Sequence, residues 1–272
     1  MVRAVFVTNL VLSLLGVGLC LAHAVPDRER VALLGTGVVY GVILEQLVIL
    51  HFDAYRYPVE EYILTVADVP VVIGLGWAAI LYSGLHAGRR LGVPARALPP
   101  FVGLFALHID LAIDAVAIRV PFWTWASPGA WFGVPLGNFM GWFLVGTLFP
   151  AAWLGLRRLG PLARGPVAVV AAVAGIVAGL ELWSALTPTV AHKAAVLGAV
   201  AAVAAAVVLR ERAGRPRAPD RLPAAIPLLY HGYYLSLVLA LGMYREQPLL
   251  LAVSVAMLAV GVALHRGVTA GG

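Results

Sequence analysis

Two aspartates in an apolar segment are the residues of this sequence best suited to chemistry. Asp110 and Asp114 lie in the run HIDLAIDAVAIRV, four residues apart. In a helix both carboxyl groups would therefore lie on one face, about 6 Å apart along the axis. Paired carboxyls in an apolar pocket favour proton transfer, in which one carboxyl is the general acid and the other is the general base.

Further candidates are polar or aromatic and lie near the ends of neighbouring apolar runs. Asp68 could instead cap the helix that follows it, since Pro70 is tolerated at a helix start. The tryptophans either form an interfacial belt or belong to a loop that folds back over a cavity. The candidates are Glu45, Tyr55, Tyr57, Asp68, Trp123, Trp125, Asn138 and Trp142.

The elements that must position these residues are membrane-spanning helices. Hydrophobic residues make up 62% of the chain and charged residues 12%, and the mean hydropathy is +0.94. This composition is typical of a polytopic membrane protein. We predict one all-α integral-membrane domain over residues 1–272, with nine spanning helices, eight being the nearest alternative, at 5–24, 31–52, 64–87, 98–119, 136–156, 166–187, 191–209, 223–243 and 248–265.

Two segments are predicted not to span. Residues 120–135 contain too many Pro and Gly residues and are expected to form a re-entrant or interfacial aromatic hairpin. Residues 210–222 are predicted to be a cytoplasmic linker between helices.

The distribution of basic residues predicts the orientation. Of the 19 Lys and Arg residues, 14 lie in the links near 25–30, 88–97, 157–165 and 210–222 or at the C-terminus. The positive-inside rule then puts the N-terminus outside and the C-terminus in the cytoplasm. Because topology explains the net charge of +6, no nucleic-acid partner is expected. The competing interpretation is a signal peptide at residues 1–24, whose cleavage would invert this alternation.

The predicted topology brings several acids to a similar depth. A charged side chain at the centre of a bilayer costs about 2.5–3.5 kcal/mol on the insertion scale, so we expect the acids to face one another inside the bundle. The alternative is that they only hold helices together. Arg56 and Arg119 are the available counter-charges. The outer half would contain Glu45, Asp68, Asp114, Asn138 and Glu181, with Asp110 deeper, and the eighth span adds a cluster of Tyr230, His231, Tyr233 and Tyr234.

Several classes of site are disfavoured by the residues. Lys193 is the sole lysine and lies at a span end, so a retinal-type Schiff base has no candidate in a helix interior. The sequence has no Walker motif and no Cys/His cluster of zinc spacing. We therefore expect neither a metal nor a cofactor.

Two runs between residues 110 and 146 resemble a known family signature. The run DLAIDAVAIRVPFWTW, followed by WFGVPLGNFMGWFLVG, is similar to that of the membrane carotenoid biosynthesis protein family, which includes carotenoid hydratases acting on ψ ends. Glu45 with the link FDAYRYP, and the DVP of residues 68–70, resemble that family's Glu, Phe-Gly-x-Tyr-x-Tyr and Val-Pro pattern. The resemblance covers about residues 40–150. It departs at Asp53, where the family has Gly, and at Ala115, where it has Pro.

The resemblance implies a cofactor-free hydro-lyase of the carotenoid 1,2-hydratase type, similar to the bisanhydrobacterioruberin and γ-carotene hydratases. Such an enzyme adds water across the terminal 1,2 double bond of an acyclic carotenoid end. Its partners would be a carotenoid dissolved in the membrane lipid and other enzymes of the pathway. For this reaction we assign Asp114, Asp110 and Glu45 as catalytic, and Tyr55, Tyr57, Asp68, Trp123, Trp125, Asn138 and Trp142 as substrate-binding.

Three other functions remain open at this point. An integral-membrane prenyltransferase normally holds Mg²⁺ and diphosphate through two Asp-rich motifs, of which this chain has one. A carotenoid cyclase-like enzyme would use similar proton chemistry. A carotenoid-binding or proton-coupled transport protein could also contain intramembrane acids, although we find no internal symmetry of the kind common in transporters.

Overall fold

The computed structural model describes residues 2–212 and 221–266. Within these residues, nine long helices and one short helix form a bundle, so the predicted all-α class is confirmed. The helices are α1 (Val2–Ala24), α2 (Arg28–Phe52), α3 (Val71–Arg90), α4 (Leu98–Ala117), α5 (Leu136–Gly155), α6 (Pro161–Leu186), α7 (Val190–Glu211), α8 (Arg221–Ala240), α9 (Met243–Glu246) and α10 (Pro248–Arg266).

Each predicted span corresponds to one of the nine long helices. Seven of these, α1–α4 and α6–α8, are long and apolar enough to cross a membrane. Helix α5 is as long as α4 but contains Asn138 and Pro150, and α10 has a shorter apolar stretch. Of the predicted linker 210–222, residues 213–220 lie outside the described part of the chain.

The start of the third span was predicted wrongly. Helix α3 begins at Val71, not at residue 64, and Pro70 precedes it in extended conformation. The residues before it form a small hairpin in which β2 (Thr65–Val66) pairs antiparallel with β3 (Val69–Pro70). Ala67, in the turn, has a positive φ of 50°. This segment is apolar enough to be mistaken for the first turn of a helix.

Close glycine contacts pack the four helices that carry the candidate residues. A Cβ on Gly74 of α3 would lie 2.7 Å from the carbonyl oxygen of Val38 in α2. A Cβ on Gly146 of α5 would lie 2.7 Å from the carbonyl oxygen of Val102 in α4. Such small residues let helix backbones approach each other in membrane proteins.

The connections at one end of the bundle are tied together. Strand β1 (Tyr55–Arg56), after α2, pairs antiparallel with β4 (Thr124–Trp125), after α4, so that Tyr55 lies opposite Trp125. A short 3₁₀ helix, Val59–Glu61, lies in the first connection. In the second, bridges between residues 129 and 133 and between 131 and 134 form a tight turn. The predicted aromatic segment therefore folds over the helix ends, held partly by the neighbouring connection.

Candidate active site

One cavity of about 310 Å³ lies between the helices that carry most of the predicted site residues. Helices α1–α6, the start of α7, and α8 form its wall together with the two paired connections. The wall is mostly apolar, with few polar groups, as is typical of ligand pockets. Among the described lining residues, only Ser184, on α6, is exposed.

Asp110 and Asp114 lie on one face of α4 and are 0% and 1% exposed. One helical turn separates the two residues, so their carboxyl groups are neighbours on that face. Asn138, in the first turn of α5, donates from Nδ2 to Asp110 Oδ2 over 2.8 Å. Asp114 lines the cavity, and neither of its carboxyl oxygens has a donor within residues 2–212 and 221–266. The geometry suits a pair that shares one proton, with Asp114 facing a ligand.

Glu45 has a different environment, although it is also buried and lines the cavity. Tyr55 and Tyr57 each donate a hydroxyl hydrogen bond to Glu45 Oε2, over 2.5 and 2.8 Å. The indole Nε1 of Trp77 donates to Oε1 over 2.7 Å. Three donors around one carboxyl are what a carboxylate requires, so this group is suited to act as a base.

The two tyrosines lie in the connection outside the spanning segments. Burial, and then the neighbouring Glu45 carboxyl, raise the pKa of both Tyr55 and Tyr57 well above the usual value. Both phenols therefore stay protonated and keep donating to Glu45.

Aromatic rings cover the acids from two sides. The rings of Trp77 and Trp142 lie 4.3 Å apart between centroids, and those of Tyr55 and Trp125 lie 5.0 Å apart. Trp123 packs against Tyr57 at 6.1 Å. All six of these cavity-lining rings could face a cation formed in the cavity, because aromatic faces attract positive charge.

Most of the predicted residues come together, but two acids do not. Asp68 is exposed in the β2–β3 turn, where Gln46 Nε2 donates to its carboxylate over 2.8 Å, and it does not line the cavity. Its predicted capping role is wrong, because α3 has no side-chain cap. Glu181 is 57% exposed and bonds to His51 over 2.6 Å.

The predicted counter-charges are also engaged elsewhere. Arg56 pairs with Asp53 over 3.3 Å on the exposed surface. Arg119 donates to the carbonyl oxygens of Ala115 and Phe132. Tyrosine, tryptophan and asparagine side chains, rather than guanidinium groups, therefore surround the cavity acids.

Sequence reasoning missed Trp77, the third donor to Glu45. A tryptophan inside an apolar span is usually a packing residue, and nothing in its spacing distinguishes it. The useful signal was depth, because Trp77 lies two turns into α3 and Glu45 lies two turns before the end of the antiparallel α2.

The described residues contain no group of three or more His, Cys, Asp or Glu side chains arranged to hold a metal ion. The expectation that neither a metal nor a cofactor is used stays a prediction.

A family model described as a carotenoid biosynthesis protein matches residues 5–208. The matched part includes Glu45, Asp110 and Asp114 and both paired connections. No curated protein matches the chain, and neither does any solved structure.

Proposed function

The chain belongs to the carotenoid biosynthesis protein family, and on this premise we propose that it adds water across the terminal 1,2 double bond of an acyclic (ψ) carotenoid end. The observation that carries the proposal is the cavity itself. Two carboxyls border one apolar, aromatic space: Asp114, which neighbours Asp110 on the same helix face, and Glu45, which is held by three donors. Proton transfer to and from a hydrocarbon needs this combination of groups.

Asp114 is the proposed acid. It protonates C2 of the terminal trisubstituted alkene, which breaks the π bond and leaves a tertiary cation at C1. Asp110 shares the proton of the pair, and Asn138 orients Asp110 through its 2.8 Å hydrogen bond. The proton goes to C2 because the cation at C1 is then the more substituted one.

The aromatic wall stabilises the cation. Trp123, Trp125 and Trp142 line the cavity, and Trp77 packs against Trp142 with its ring tilted by 45°. Attraction between a desolvated cation and an aromatic face is worth about 2 kcal/mol or more. The same apolar surroundings also suit the hydrocarbon substrate.

Glu45 is the proposed base. A water molecule forms the C1–O bond with a lone pair, and Glu45 accepts one of its protons. Tyr55, Tyr57 and Trp77 hold the Glu45 carboxylate in position for this step. The proton on Glu45 then returns to Asp114, which restores both groups for the next turnover. The sum is one water added and no change of oxidation state, so the reaction needs no redox partner.

The size of the cavity suits the end of a carotenoid rather than a whole carotenoid. Its volume of about 310 Å³ is at the lower limit of the roughly 300–1,000 Å³ of small-molecule pockets. The end group would occupy the cavity while the rest of the polyene stays in lipid, its solvent. Membrane lipid and the other enzymes of the pathway are the further proposed partners.

The orientation of the chain is part of the proposal. We propose a single integral-membrane domain with the N-terminus outside, because links rich in Lys and Arg alternate with links that hold few of them. Reporter fusions at positions 92 and 215 should both read cytoplasmic. An external signal from either position would move the cavity to the other side of the membrane.

Expression in cells that accumulate lycopene tests the activity directly. We expect pigments heavier by one or two water molecules when the protein is present and unchanged pigments when it is absent. Unchanged pigments in cells containing the folded protein would contradict hydration. New pigments of unchanged mass would instead indicate cyclisation or isomerisation.

A further inference from the structure

Three polar residues on the cavity wall are not used by the acid–base steps. Helix α1 contributes Asn9 and Ser13, and α8 contributes Tyr230 from the polar aromatic cluster of the eighth span. Their exposed fractions are 4%, 3% and 5%. None of them carries a charge, and we call the three residues the neutral wall.

The hydroxyl of Tyr230 is the clearest sign of a ligand at the neutral wall. This hydroxyl is buried, and the side chain of Ser13 is close enough to interact with it. No well-formed hydrogen bond reaches it from the described residues. A buried hydroxyl is rarely left unpaired, and each such case calls for an explanation. A cavity ligand that can donate or accept a hydrogen bond would satisfy it.

The chemistry of the neutral wall indicates what that ligand is. A serine or tyrosine hydroxyl both donates and accepts, and an asparagine amide does the same. Such a set suits a small neutral molecule that also does both. Water fits this description, and a water molecule in a protein needs two to four polar partners.

The neutral wall and the acids border the same space. A Cβ on Gly76 of α3 would lie 3.3 Å from the hydroxyl of Tyr230, so the glycine keeps the room beside that hydroxyl open. The next residue, Trp77, donates to Glu45. The neutral wall comes from α1 and α8, whereas the acids come from α2 and α4, so the two sets approach the cavity from different helices.

The other polar groups around the cavity are engaged, belong to the proposed acid, or can only donate. The carboxyl of Glu45 accepts three hydrogen bonds, and the amide of Asn138 donates to Asp110. Asp114 is the proton donor of the proposed reaction. The indole N–H of Trp125 has no partner among the described residues, but it can only donate. The neutral wall is therefore the part of the interior lining that can both donate to a reactant water and accept from it.

We propose that Asn9, Ser13 and Tyr230 hold the water molecule that adds to the C1 cation. This inference rests on the proposed hydration. Asp114 delivers its proton to C2, the held water forms the C1–O bond, and Glu45 accepts the proton that this water loses. Without the held water the cation instead loses a proton from C2 or from a terminal methyl group, which returns the alkene or gives its isomer.

The test separates protonation from water addition. Wild type, Tyr230→Phe and Ser13→Ala are each supplied with an acyclic ψ-end carotenoid in D₂O, as full-length protein in membranes. Deuterium in the recovered hydrocarbon reports protonation followed by loss of a proton, and the mass of the product reports hydration. Tyr40→Phe is the matched control, because its hydroxyl is equally buried and unpaired but its ring stacks on Phe149 away from the cavity lining.

We expect hydration per folded protein to fall about tenfold to a hundredfold in Tyr230→Phe and Ser13→Ala, the usual effect of losing a hydrogen bond in a desolvated site. The ratio of deuterated hydrocarbon to hydrated product should rise by at least about tenfold, while Tyr40→Phe behaves like wild type. Normal hydration by both variants, or equal loss of deuteration and hydration, would contradict the proposal that the neutral wall holds the reactant water. A folded wild type that neither deuterates nor hydrates would instead contradict the proposed function.

Discussion

The buried acids and the exposed acids of this protein differ in their neighbours more than in their positions along the helices. Glu45 and Asp114 face one cavity, surrounded by tyrosine, tryptophan and a second carboxyl. Asp68 and Glu181, expected at a similar depth, are exposed and have ordinary polar partners in Gln46 and His51. An acid in a membrane-protein sequence is therefore only a candidate for function. Whether it can act in a site depends on whether its side chain faces the cavity or the exposed surface.

Removing a buried acid should have the largest effect. Glu45→Gln keeps the shape of the side chain but cannot accept a proton from water. We expect turnover to fall by roughly 10²–10⁴-fold, the range typical of losing a general base, measured as hydrated carotenoid per folded protein. Glu181→Gln is the matched control on the exposed side and should leave turnover unchanged. If the two variants behave alike, burial does not distinguish the two kinds of acid.

A change beside a buried acid should have a smaller effect. Trp77→Phe removes the 2.7 Å hydrogen bond to Glu45 and leaves an aromatic ring in place. We expect kcat to fall about tenfold with little change in KM, because the lost donor positions the base rather than the substrate. Trp131→Phe is the control, since its indole donates to the carbonyl of Leu111 and it does not line the cavity. A larger loss from Trp131→Phe than from Trp77→Phe would contradict the positioning role.

A change to an exposed acid should have the smallest effect. In Asp68→Asn the amide oxygen can still accept the hydrogen bond from Gln46, so the free energy of unfolding should change by less than about 1 kcal/mol. Hydration per folded protein should stay at the wild-type level. Thermal unfolding and pigment yield measured on the same samples check both points. A tenfold drop in hydration would instead support the substrate-binding role that the sequence predicted for Asp68.

The sequence predicted what depends on local periodicity. The spacing of Asp110 and Asp114 brings both onto one face of α4, and each predicted span corresponds to a long helix. Helical rise also predicts a depth for Glu45 and Glu181, and that depth stays a prediction. Rise does not determine the direction in which a side chain points, because that depends on which neighbour each helix packs against. Glu181 therefore lies at an exposed position that depth alone could not reveal.

Long-range pairing could not be predicted. Tyr55 and Trp125 lie opposite each other because two connections, 70 residues apart, form a two-stranded sheet. No local pattern in either segment specifies that partner. Similarly, the sequence alone indicates that Trp77 is a packing residue. Its hydrogen bond to Glu45 follows only from the packing of α3 beside α2. The contacts that complete the candidate site are thus those that only tertiary structure supplies.

Turnover by Asp114→Asn tests the central claim most directly. The substitution keeps the shape and most of the hydrogen bonding of the carboxyl but removes its proton, so folding and pigment binding should persist. We predict that hydrated carotenoid per folded protein falls by roughly 10²–10⁴-fold relative to wild type and to Glu181→Gln. Near-normal hydration by Asp114→Asn would move the acid to Asp110 or Glu45. Near-normal hydration by single variants at all three positions would contradict the carboxylic-acid mechanism.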